Sequence, residues 1–140
     1  MKEMEGHSRR WLMWLPAIAV MAIIFVLSAQ SGLRVSEDVA VERPLRVTGH
    51  LLAYATLAAC LLVAISWGRR PRLRHALIAY GITIVYALSD EWHQSFVPDR
   101  TGRLDDVVTD AIGALVGLAL AWVVLTVAAS RRQRSPQAGP

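Results

Sequence analysis

Ser89–Asp110 reads SDEWHQSFVPDRTGRLDDVVTD, a span that holds six acids, His93, Arg100 and Arg103 between two runs that are almost wholly apolar. Charge at the margin of a membrane-like segment is costly, so each such group needs a partner or a task. This restricts the possible folds more than any other stretch does. The apolar runs must pack so that these side chains stay off lipid.

The rest of the chain has the same layout. Of its 140 residues, 54% are hydrophobic and 19% charged, whereas a soluble domain of this size carries a more polar surface. The net charge is +4, yet the basic residues fall in short clusters between apolar runs and form no single patch. That is the pattern of a polytopic membrane protein, not of a nucleic-acid binder. It implies one domain whose first partner is the lipid bilayer. Cys60 is the single cysteine, which excludes an internal disulfide and a cysteine-based metal site and leaves a buried, inert thiol as the expectation.

Four transmembrane helices are predicted, at about 11–29, 47–67, 75–94 and 107–128, in an all-α bundle over 11–128. Residues 1–10 form a head, and 129–140 are expected to be a disordered basic tail. The uncharged run Trp11–Ala29 spans about 28 Å as a helix, enough for the hydrocarbon core. It also resembles a signal peptide, with Ala29-Gln30-Ser31 as the cleavage site. Its apolar body exceeds the usual length of about 7–15 residues, which favours an uncleaved helix. Pro16 predicts a kink that a membrane helix tolerates, and Trp11 and Trp14 suit the interface. Gln30–Arg46, with Ser31, Gly32 and Pro44, reads as a loop or a short surface helix. The third apolar run, Ala76–Ser89, has only 14 residues and crosses only by taking in Asp90, Glu91, His93 and Gln94. The fourth, Val107–Ala128, carries Asp110 one turn in.

Orientation follows from Lys and Arg placement. Ten of the 15 lie in the head, the second-to-third connection and the tail, and five lie in the opposite loops. Both termini are therefore predicted to be cytoplasmic, with the acid-rich stretch outside. His7 and His75 read as solvated charges.

Spacing then brings the polar groups together. Arg46, His50 and Tyr54 recur every four residues, so they run down one helix face; so do Tyr86, Asp90 and Gln94, with His93 three after Asp90, and so do Asp106 and Asp110. All sit at the outer ends of their helices. Stripes at one depth must face one another and not lipid, which predicts a polar cavity open to the outside. Gly113 and Gly117 continue the face of the fourth helix and predict close helix packing. Trp92 and Phe96 read as interfacial anchors.

The combined spacing resembles that of the VanZ-like family of small membrane proteins. The family pattern, an acid-Glu-x-x-Gln, an aromatic, Pro and Arg, then Asp-x-x-x-Asn-x-x-Gly-x-x-x-Gly, falls here on Asp90, Glu91, Gln94, Phe96, Pro98, Arg100, Asp106, Gly113 and Gly117. Arg46, His50 and Tyr54 match its upstream part, and SAQSG after the first helix is also similar. Where the family usually has Asn, this chain has Asp110. The resemblance covers roughly residues 15–125. It implies a bacterial plasma-membrane protein of the cell envelope, since the family is named for an accessory determinant of teicoplanin resistance.

Several roles fit the polar residues Arg46, His50, Tyr54, Asp90, Glu91, His93, Gln94, Arg100, Asp106 and Asp110. One is recognition of a cell-wall precursor or envelope lipid, since Arg46 and Arg100 can take phosphate or carboxylate in bidentate fashion. Another is metal-assisted chemistry on a lipid-linked phosphate, with a divalent cation on Asp90, Glu91, Asp106 and the histidines. The sequence requires no cofactor, and HExxH, a Cys–His pair and a Gly-rich phosphate loop are absent from it. A third is a structural network without a ligand. Proton or ion transport fits less well, because below the cluster the helices are apolar, with Ser66, Tyr80 and Thr83 as the polar steps of a pathway.

Overall fold

The computed structural model describes residues 10–31, 39–98, 100 and 102–134, and among them it is all helical. A short 3-10 turn, Leu12–Trp14, leads into α1 (Leu15–Ser28). Then follow α2 (Val39–Ser66), α3 (Leu73–Gln94) and α4 (Leu104–Arg134). Residues 1–9, with His7, and the end of the tail lie outside the described residues.

The helix limits differ from the sequence expectation in three places. Pro16 falls in the first turn of α1, where a missing N–H would have had no partner in any case, so no kink is needed. The second helix starts at Val39 and not near 47, taking in part of a stretch read as a loop or a short surface helix and holding Pro44 inside it. Glu42 in its first turn suits the positive end of the dipole, and extending a helix already held by packing adds a bond for each residue fixed. The fourth helix continues to Arg134, past the expected end, with Arg131, Arg132 and Arg134 in its last turn where cations are favoured. His75 is not simply a solvated charge: Arg72 N–H donates to its Nδ1 at 3.2 Å at the start of α3.

The chain turns sharply after α2. Gly68 N–H donates to Val63 O at 3.0 Å and Trp67 N–H to Ala64 O at 3.2 Å, a Schellman-type end. Trp67 sits there at φ 56°, a conformation that costs a bulky residue roughly 1–2 kcal/mol. The Arg10 guanidinium lies 5.3 Å from its ring centre. Arg10, Trp11, Trp14, Ile18 and Trp67 line a cavity of about 420 Å³ at this end.

Successive helices alternate in direction, so α2 and α4 run the same way and form the most extensive pair. A Cβ built on Gly113 would stand 2.5 Å from Leu51 O, and one on Gly117 would overlap Ala55 O. Only glycine permits this approach. Tyr54, Leu57, Leu61, Leu62, Ala79, Ala87, Ala114 and Leu118 fill the centre, while Cys60 is half-buried at its edge. The outer faces are apolar as well: Leu52 is 64% exposed, Val85 67% and Val124 65%. Apolar surface on this scale marks contact with another apolar phase. By length and composition α2 (from Ala40) and α4 can each cross a membrane, and Leu12–Ser28 is a shorter apolar helix.

Gly117→Ala is expected to destabilise the bundle. The Cβ meets backbone, which cannot rotate away, so an overpacking cost of roughly 1–3 kcal/mol exceeds the gain of about 1 kcal/mol in helix propensity. Gly81→Ala, with nothing within 4 Å of the new Cβ, is expected to be neutral or stabilising. Thermal unfolding of the two variants in detergent tests the contrast.

Candidate functional site: a buried polar cluster at one end of the bundle

The start of α2, the end of α3, the start of α4 and the end of α1 meet at one end of the bundle. Arg46 Nη1 donates to Asp106 Oδ2 at 2.8 Å; the side chains are 37% and 8% exposed. One turn deeper, His50 Nδ1 lies 2.8 Å from Asp110 Oδ1, and Asp110 is fully buried. Deeper still on α2, Tyr54 Oη donates to Asp90 Oδ2 on α3 at 3.3 Å.

Asp90 Oδ2 is a junction. Besides Tyr54, it accepts from Ser28 Oγ of α1 at 2.9 Å and from Gln94 Nε2 at 3.0 Å. Gln94 Nε2 also reaches Glu91 Oε1 at 3.2 Å. The other oxygen, Glu91 Oε2, accepts from the backbone N–H of Arg103 at 2.7 Å. Gly102 makes this possible, since a Cβ there would overlap Glu91 O. The acid-rich connection is thus folded back onto the end of α3 by a side-chain-to-backbone bond.

The three arginines nearby have different tasks. Arg46 meets Asp106. Arg100 donates from Nη1 to Gln94 Oε1 at 3.1 Å, from Nε to Gln30 O at 3.2 Å and from Nη2 to Leu27 O at 3.3 Å. It therefore clamps the C-terminal end of α1, where exposed carbonyls favour a cation. Arg103 Nη2 reaches Asp105, an exposed partner, at 3.3 Å. His93 stacks on Phe25 of α1, with ring centres 4.7 Å apart, so α1 closes over the C-terminal part of α3. Trp92 and Phe96 pack edge to face on the exposed side.

Several atoms remain without a hydrogen-bond partner although buried. They include Asp90 Oδ1, His93 Nε2 and Asp110 Oδ2. Below the cluster, Thr83 Oγ1 donates to Ala79 O and Ser66 Oγ to Val63 O. Each is a bond within its own helix, not a step toward the other end.

Ser28, Gly102 and the Arg103 amide were not singled out by sequence reasoning. Ser28 had a signal, as the first residue of SAQSG. The amide had none, because every residue except proline carries one.

Fold and cluster together define an all-helical chain with an apolar exterior and its polar groups gathered at one end. The VanZ/LLP1 family model matches residues 13–125, and the chain belongs to that family. No curated protein and no solved structure matches it.

Ser28→Ala is expected to lower stability by about 1 kcal/mol, the net worth of one hydrogen bond, because Asp90 keeps two donors. Asp105→Ala, which removes the exposed partner of Arg103, is expected to stay within roughly 0.5 kcal/mol of the parent. Unfolding midpoints in one detergent, measured side by side, check both.

Proposed function

We propose that this protein is a multi-pass protein of the bacterial plasma membrane with four spans and both termini in the cytoplasm. On this reading the polar cluster faces the extracytoplasmic side and binds the anionic group of a cell-envelope component. The observation that carries the reading is the placement of Arg46. It stands at the open end of the cluster, more exposed than its partner Asp106, and one nitrogen of a fork with five donors makes that contact. Arginine in such a position takes phosphate or carboxylate in bidentate form. Arg100 is a weaker candidate, because its donors are engaged by Gln94, Gln30 and Leu27.

Lipid-linked cell-wall precursors bring a pyrophosphate to this depth of the membrane, and peptidoglycan stems end in a carboxylate. Either is a ligand of the right charge. Family membership supports an envelope role, and through such a ligand the protein would alter sensitivity to teicoplanin-type glycopeptides.

A second reading is a structural network with no ligand. It is favoured by Asp90 Oδ2, which collects donors from α1, α2 and its own helix.

The two readings separate in a thermal-unfolding experiment on purified protein with an isoprenoid pyrophosphate lipid. At about 100 times Kd, binding adds roughly 2.7 kcal/mol of stability. The proposal expects that shift in the parent and in Arg103→Ala, and its loss in a folded Arg46→Ala. An unshifted parent, or an Arg46→Ala protein that still shifts, overturns it.

A further inference from the structure

His50 on α2, Glu91 on α3 and Asp110 on α4 each bring a potential ligand atom to within 4.8 Å of those of the other two. Three helices thus supply one imidazole and two carboxylates to a single point, as in metal sites built in helical-bundle cores. Four-coordinate ligand atoms about 2.0–2.2 Å from an ion lie roughly 3.4 Å apart, so the set has to draw in by little more than an ångström. His50 Nδ1 and Asp110 Oδ1 stand 2.8 Å apart, a hydrogen bond that opens to roughly 3.4 Å and gives up its proton when both atoms ligate.

A cluster of acids alone would not make a site. Here Asp110 is 0% exposed, reaches into the cluster through Oδ1, and keeps Oδ2 buried with no partner. An unpaired carboxylate oxygen in that position is strongly unfavourable. The arginines do not relieve it: Arg46 meets Asp106, Arg103 meets Asp105, and Arg100 meets Gln94 and two carbonyls. Among the described residues, the side chain that reaches Asp110 is His50, through Nδ1.

The surroundings also suit ligation. Glu91 is held from both oxygens, by Gln94 Nε2 and the Arg103 amide. Such outer contacts orient a coordinating carboxylate and leave it lone pairs to give.

We infer that His50, Glu91 and Asp110 form a binding site for one divalent transition-metal ion, zinc or manganese. The imidazole selects against magnesium and calcium, which prefer oxygen alone. Three protein ligands leave at least one position open for water or an anionic oxygen. The ion site stands on these three residues alone. Its use as the positive partner of an envelope phosphate rests on the function proposed above.

The test uses full-length protein in detergent, stripped with a chelator and dialysed against Zn²⁺, Mn²⁺, Mg²⁺ or Ca²⁺ in turn. The expected result is one equivalent of bound zinc or manganese, a raised Tm with that ion, and no comparable effect of magnesium or calcium. Asp110→Asn and Glu91→Gln each lower the affinity by roughly tenfold or more, while Asp105→Asn binds as the parent does. Co²⁺ in place of the native ion gives a visible ligand-field spectrum that His50→Ala changes. Substoichiometric binding by the parent, or unchanged affinity in Asp110→Asn, overturns the inference. The parent stoichiometry decides it even if a variant fails to fold. Because the probe is the metal alone, its failure leaves the anion reading to the lipid experiment. Metal binding with no lipid-dependent shift would sink the anion reading and leave the ion site in place.

Discussion

The structure depends on the backbone approach of α2 to α4. Gly113 lies against Leu51 and Gly117 against Ala55, with no side chain between the helices at these points. Because the two helices run in the same direction, a four-residue step on one matches a four-residue step on the other, about 6 Å along both axes. The same register therefore joins Arg46 to Asp106 and His50 to Asp110. If a bulkier residue pushed the helices apart at Gly117, the pairs about two and three turns further on would lengthen with them. Small residues deep in the pair thus set the geometry of charges near its end.

This coupling matters because the exterior gives little help. In lipid, apolar side chains gain nothing from leaving one apolar phase for another, so helices associate through packing and polar contacts. The exposed Leu and Val faces of this chain fit such a setting. What remains to hold four helices together is the glycine contact, the alanine-rich centre and the hydrogen-bonded cluster. α1 shows it most clearly. Its ties to the rest include Ser28 to Asp90, the Arg100 clamp on its last carbonyls, the Phe25–His93 stack and Tyr86 Oη donating to Met21 O at 2.6 Å.

Much of this was legible in the sequence, and the limit is physical. The steps of four at Arg46, His50 and Tyr54 and at Asp106 and Asp110 mark helix faces directly, and the expense of charge in lipid turns those faces inward. The third helix ends at Gln94, the limit read from the sequence. Partner choice was not legible. Periodicity gives the face of a helix but not its axial offset from a neighbour, and that offset decides whether His50 meets Asp110 or Asp90. Contacts with main chain were also hidden: Arg100 binds carbonyls and Glu91 binds an amide, groups that any residue presents. The early start of α2 was missed because Pro44 and the polar residues around it suggest a loop when tertiary support is ignored.

Side chains on the parallel helices α2 and α4 are paired across the interface and not merely close to it. A double-mutant cycle on Arg46→Ala and Asp106→Ala, read by unfolding in one detergent, measures this directly. Pairing predicts a coupling of roughly 1 kcal/mol or more, with the double variant less destabilised than the sum of the two single changes. Additivity to within about 0.5 kcal/mol would contradict it: the two residues would then be independent, and the α2–α4 register would not be what organises the cluster.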